Sequence, residues 1–149
     1  MARVALDTSV VVEFIDLKGR FHKQAEAIFA SLLAGRLEAV VPHPVLAETY
    51  YVAVRVYSTR GLLDAEKRAE ELVKWLAALP TVVVVEGAEL AVEAGLAKLK
   101  LGLALTDCYV LAAAKLARGK ALFRSREAEM VKAGERLKEY NVVFLEDYA

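Results

Sequence analysis

Short apolar runs alternate along the chain with longer stretches in which apolar side chains recur every three or four positions, the pattern of strands separated by helices. The opening run Arg3-Val4-Ala5-Leu6 predicts a buried strand. It ends abruptly in Asp7-Thr8-Ser9, and a second apolar run, Val10-Val11-Val12-Glu13-Phe14-Ile15, follows at once. From Phe21 to Gly35, residues Ala25, Ile28, Phe29, Leu32 and Leu33 recur at helical spacing. Leu37 to Val41 is a strand candidate closed by Pro42-His43-Pro44, and a long helix is expected from Pro44 to Thr59, with Gly61 just past its end. Asp64 is positioned to cap a helix that runs to about Leu79 and stops at Pro80. Thr81-Val82-Val83-Val84-Val85 has no polar alternation, which predicts a central strand buried on both faces. Helices are expected over Ala88 to Lys100 and Leu105 to Arg118, broken at Gly102. Two short strands, Lys120 to Phe123 and Asn141 to Leu145, then flank a charged helix over about Glu127 to Glu139. Strands alternating with single helices or helix pairs imply a three-layer α/β/α sandwich around a parallel sheet of about five strands.

Composition narrows the class. The length of 149 residues fits one domain, 1–149, with a sizeable core. Apolar residues reach 57%, an excess that points to a largely buried sheet, an oligomer interface, or both. No apolar run has the length of a membrane span, and no signal-peptide layout is expected at the N-terminus. A single cysteine, Cys108, rules out an internal disulfide and fits a reducing cytoplasm. His22 and His43 are isolated, so no soft zinc-type site is formed. Formal net charge is zero; a nucleic-acid site would have to be a local basic patch.

Three acids depart from the solvated faces that hold the others. Asp7 ends a buried strand, where ligands bind in open α/β sheets. Glu48 has Pro44, Val45, Tyr51 and Val52 as helical neighbours, and Asp107 has Leu103, Ala104, Val110 and Leu111. Each has an ordinary alternative: Asp7, Thr8 or Ser9 as a helix cap, Glu48 paired with Arg55, Asp107 as a first-turn acid favoured by the helix dipole. Three such residues in one small domain favour a shared acidic pocket. Carboxylates crowded together repel and need countercharge, and oxygen ligands without His or Cys select Mg²⁺ or Mn²⁺. Metal pairs about 4 Å apart in carboxylate pockets serve phosphodiester hydrolysis. From Cys108 to Arg126 there is no acid, while Lys115, Arg118, Lys120, Arg124 and Arg126 are basic. That block is either a solvated face or a contact for a phosphate backbone.

The ordered set Leu6-Asp7-Thr8-Ser9, the Glu48 helix and Leu105-Thr106-Asp107-Cys108-Tyr109-Val110-Leu111-Ala112-Ala113-Ala114 resembles the PIN domain over essentially the whole chain. More narrowly it is similar to the VapC-like toxins of prokaryotic type II toxin–antitoxin pairs. The resemblance implies a Mg²⁺- or Mn²⁺-dependent endoribonuclease, dimeric and inhibited by a small antitoxin protein. It makes Asp7, Glu48 and Asp107 the acidic site residues, with Thr8 or Ser9 supplying the hydroxyl that hydrogen-bonds the first aspartate. The departure is at the fourth acid of the pattern: Ser125 stands where the family commonly has an aspartate, in Arg124-Ser125-Arg126-Glu127-Ala128-Glu129. Glu127 is the expected replacement, in a first helical turn and acting through water or a weaker second metal. Glu129 is the weaker candidate.

Alternatives are a housekeeping RNA-processing nuclease of the same fold, a non-catalytic module that binds RNA or protein, and a receiver-like signalling domain. The receiver reading needs a phosphoacceptor aspartate after a central strand, where this chain has Glu86-Gly87. The apolar excess, with Tyr50, Tyr51, Tyr57 and Trp75 on two adjacent helices, leads to the expectation of a homodimer burying part of those helices.

Overall fold

The computed structural model describes residues 2–148. Strands β1 (Ala2–Leu6), β2 (Leu37–Pro42), β3 (Val82–Val85), β4 (Lys120–Phe123) and β5 (Val142–Phe144) form one sheet in the order β3-β2-β1-β4-β5. Every pairing is parallel, with Val4 opposite both Ala39 and Lys120. The helices are α1 (Thr8–Ile15), α2 (His22–Leu33), α3 (His43–Thr59), α4 (Ala65–Ala78), α5 (Ala88–Leu101), α6 (Leu105–Ala117) and α7 (Ala128–Ala133). Side chains alternate across a strand, so neighbouring residues of β1 face opposite layers. On one face α6 lies across β1, β2 and β4 with α5 beside it. On the other, α2 packs on β2, joined to α1. The result is the α/β/α sandwich that the strand–helix alternation predicts.

Two packing features hold the layers. The very apolar α6 buries Cys108, Val110, Leu111, Ala112, Ala113 and Ala114, small enough on one side to sit close to the sheet. Phe14, Phe29 and Trp75 stack with centroids 4.2, 6.0 and 5.8 Å apart, tying α1, α2 and α4 together; such pairs add about 0.5–1.5 kcal/mol each beyond burial. Trp75 thus packs against the core while staying partly exposed. Tyr57 is half-buried, whereas Tyr50 and Tyr51 stay exposed.

Three sequence expectations are corrected. The valine strand β3 is an edge and not a centre: Val82 is buried, but Val83 is 58% exposed. Asp64 precedes α4 in a left-handed conformation (φ 56°) and makes no side-chain cap. The charged helix after β4 is short, because Gly134 (φ 54°) ends α7 and the chain continues as a 3₁₀ turn over Gly134–Glu139.

Gly119, between α6 and β4, lies against β1: an added Cβ would stand 2.6 Å from the Arg3 carbonyl oxygen, which is backbone and cannot step aside. Gly119→Ala is expected to cost about 1–3 kcal/mol in denaturant unfolding. A loss below about 0.5 kcal/mol would contradict this packing.

Candidate functional site

With strand order 3-2-1-4-5, the connections leave β1 and β4 toward opposite layers, and the crevice between their carboxyl ends is the switch point where such sheets bind ligands. Asp7 stands there. Its amide N–H continues the ladder to the Leu122 carbonyl at 3.1 Å, and its backbone (φ −84°, ψ 155°) makes it the N-cap of α1. The capping role occupies only one of the two carboxylate oxygens. Asp7 Oδ2 accepts from the Ser9 amide at 3.0 Å and from Ser9 Oγ at 2.5 Å. Oδ1 is buried and has no hydrogen-bond partner among the described residues. Ser9 Oγ in turn accepts from the Arg124 amide at 3.0 Å, stitching the end of β4 to the cap. Ser9, not Thr8, is therefore the hydroxyl on the aspartate. Thr8 is buried and meets Thr49 Oγ1 at 3.5 Å, linking α1 to the helix that carries Glu48.

Asp107 is the third residue of α6, whose N-terminus faces the same crevice. A helix N-terminus favours an anion, yet burial dominates and pushes the Asp107 carboxyl up to about 7, helped by the charges of Asp7, Glu127, Glu48 and Glu129. Burial likewise pushes Asp7 up to about 6; the Ser9 hydrogen bonds oppose it, and Glu48 and Glu127 add to it. Both aspartates therefore feel the charges of Glu48 and Glu127. Glu48 is half-buried on α3 and has no ion pair or hydrogen bond among the described residues, Arg55 included. Glu127 is exposed, and it is the residue before α7, not within its first turn. Glu129 is exposed on that helix.

Among the described residues no three His, Cys, Asp or Glu side chains are drawn together as a ready-made metal site. The donor set nevertheless fits a hard divalent cation. It offers only carboxylate oxygens, one of them an orphaned buried atom, and Mg²⁺ is usually held by one or two carboxylates with water completing its shell.

The basic block does not survive folding as one patch. Asp107 and Arg118 lie at opposite ends of α6, about 16 Å apart at 1.5 Å per residue. Lys120 opens β4, and Lys115 pairs with Glu93 at 3.4 Å. Only Arg124 and Arg126 follow β4 at the acidic end, and both are engaged. Arg126 pairs with Glu146 and Asp147 at 2.9 and 2.8 Å. Arg124 Nε donates to Glu13 Oε1 at 3.0 Å and its Nη1 to Ser125 Oγ at 3.3 Å. Glu13, 4% exposed, was missed by the sequence reasoning; its signal was a lone carboxylate inside an apolar run. Cys108 is buried, and burial pushes its thiol up to about 11, away from any nucleophilic role.

A parallel α/β fold that brings Asp7 and Asp107 within range of the charges of Glu48 and Glu127 defines the broad class. Within it the family is set by comparison: the PIN domain family model matches residues 4–136, and the chain belongs to that family. No curated protein matches the chain in sequence. Among solved structures it is similar to the sarcin–ricin-loop-cleaving toxin VapC20 of Mycobacterium tuberculosis (16% identity, TM-score 0.64, 88% of this chain and 95% of that one). It is similar also to VapBC2 of Rickettsia felis bound to a promoter DNA fragment (14%, 0.64, 95% and 98%). A third is a toxin–antitoxin complex from Klebsiella pneumoniae (18%, 0.57, 95% and 97%). At these identities the likeness is one of fold. No helix among the described residues is long and apolar enough to cross a membrane.

Raised carboxyl groups leave a signature in stability. The unfolded chain ionises these acids near 3.8, whereas the folded protein holds the protons to about 6 and about 7. Between those limits the folded state binds more protons, so this contribution is fully present at low pH and is lost as pH rises. Asp107→Asn is expected to stabilise the metal-free protein at pH 8 by on the order of 2 kcal/mol, with no gain near pH 4. Urea unfolding at the two pH values checks this; an equal effect at both would contradict it.

Proposed function

We propose that this protein is a divalent-metal-dependent endoribonuclease, the toxin of a type II toxin–antitoxin pair. The observation that carries the reading is the coupling of Asp7 and Asp107 at the β1–β4 switch point, with Asp7 Oδ1 buried and unpartnered. The PIN family membership and the printed descriptions of the neighbours as toxins and toxin–antitoxin complexes support it. Asp7 and Asp107 would hold Mg²⁺ or Mn²⁺, with Glu48 completing the site. When bound, such an ion polarises a phosphodiester and lowers the barrier to attack by water.

The chain's own residues supply the rest. Ser9 fixes Asp7 by occupying Oδ2, which leaves Oδ1 as the atom turned to the site. Glu48 has no ion pair or hydrogen bond among the described residues and would be the group that takes a proton from the attacking water. Ser125 has its hydroxyl on Arg124 and offers the site no carboxylate, so a fourth negative charge falls to Glu127. RNA backbone contact by Arg124 and Arg126 requires phosphate to share guanidinium groups that already hold carboxylates. Lys115 and Arg118, at the far end of α6, would serve only a strand that runs along that helix. The antitoxin and a homodimer belong to the same reading. For the dimer, the exposed stripe Val92, Leu96 and Leu99 on α5 is a further apolar surface to cover, beside the exposed Tyr50 and Tyr51.

Asp7→Asn and Asp107→Asn are expected to lower RNA cleavage at least about a hundredfold, a loss of roughly 2.7 kcal/mol in transition-state stabilisation, and to weaken Mn²⁺ binding by calorimetry. Glu127→Ala is expected to cut cleavage while weakening Mn²⁺ only modestly. Cleavage at the parent rate by Asp107→Asn would end the assignment.

A further inference from the structure

The geometry points to Glu13 as a positioning residue for the acidic crevice, acting through Arg124 and Ser9. What it positions rests on the reading above, that Asp7 holds an ion.

Glu13 and Ser9 lie one helical turn apart on α1, at i and i+4, and so share a face. Both grip the same residue of β4's end. Ser9 takes the Arg124 backbone N–H at 3.0 Å, and Glu13 takes its side-chain Nε at 3.0 Å. The second Glu13 oxygen accepts the Phe21 amide at 2.5 Å, so both carboxylate oxygens are used. The Arg124 guanidinium lies over the Phe21 ring at 5.2 Å. One carboxylate thereby ties α1, the turn before α2 and the end of β4 together.

Burying an ion pair is a poor route to stability, since apolar replacements are often as stable. What this pair does provide is placement. Arg124 cannot move from Ser9 while Glu13 holds its guanidinium, and Ser9, so fixed, donates to Asp7 Oδ2 at 2.5 Å and turns Oδ1 to the crevice. Gly19 leaves the space this requires, because a Cβ there would come within 2.7–2.9 Å of the Glu13 carboxylate.

The test compares the parent with Glu13→Gln, Ser9→Ala and their double variant, using two readouts. One is hydrogen exchange of the Arg124 amide in the metal-free protein; the other is Mn²⁺ affinity by calorimetry. Glu13→Gln is expected to speed Arg124 exchange about tenfold and to weaken Mn²⁺ about three- to tenfold, with the double variant no worse than Ser9→Ala alone. Leu76→Ala, a core change on α4, is expected to lower the melting temperature and leave Mn²⁺ affinity unchanged while folded. Arg124→Lys keeps the charge and the amide but loses the Nε contact to Glu13, and gives the same two readings if Glu13→Gln fails to fold. Unchanged exchange and affinity in Glu13→Gln, additive losses in the double variant, or an equal Mn²⁺ loss in Leu76→Ala would overturn the proposal. A parent that binds no Mn²⁺ would sink the ion reading alone, because Arg124 exchange still decides whether Glu13 sets the clamp.

Discussion

The fold places negative charge where burial opposes it. Asp7 and Asp107 sit at the end of a buried strand and the start of a buried helix, within reach of each other's charge and of Glu48 and Glu127. Crowded carboxylates destabilise an apo-protein unless protons or cations neutralise them. The surrounding structure tolerates this because the sheet and α6 are apolar and closely packed, with Ala112, Ala113 and Ala114 all buried. Stability is supplied by the layers and charge is concentrated at one crevice between them.

Ser9 joins these two parts of the molecule. Its amide and hydroxyl satisfy one oxygen of Asp7, and the same hydroxyl receives the Arg124 amide from β4. A helix cap and a functional carboxylate are usually weighed as rival explanations of an Asp-Thr-Ser sequence. Here the two are compatible, since capping consumes Oδ2 and leaves Oδ1 without a partner among the described residues.

The sandwich was legible because helical periodicity and short apolar runs alternate cleanly, and Asp7, Glu48 and Asp107 stood out because each interrupts an apolar context. What was not legible depends on partners distant in sequence. The run of four valines carries no information about whether a strand has one neighbour or two, and β3 has one. The basic residues from Lys115 to Arg126 are continuous in sequence, but α6 and β4 carry them to different ends of the molecule. The Glu13–Arg124 pair joins residues 111 positions apart, and no local rule announces it. The stacking of Trp75 on Phe14 and Phe29 likewise joins residues far apart in sequence.

The central claim is that Asp7 and Asp107 form one charge-crowded site built to be neutralised by a divalent cation. An NMR titration of the aspartate side-chain carboxyl carbons, with and without Mg²⁺, tests it most directly. Without the ion the account places the Asp107 midpoint near 7 and that of Asp7 near 6, with Mg²⁺ lowering both. Midpoints at the ordinary aspartate value of 3.8, indifferent to Mg²⁺, would contradict it.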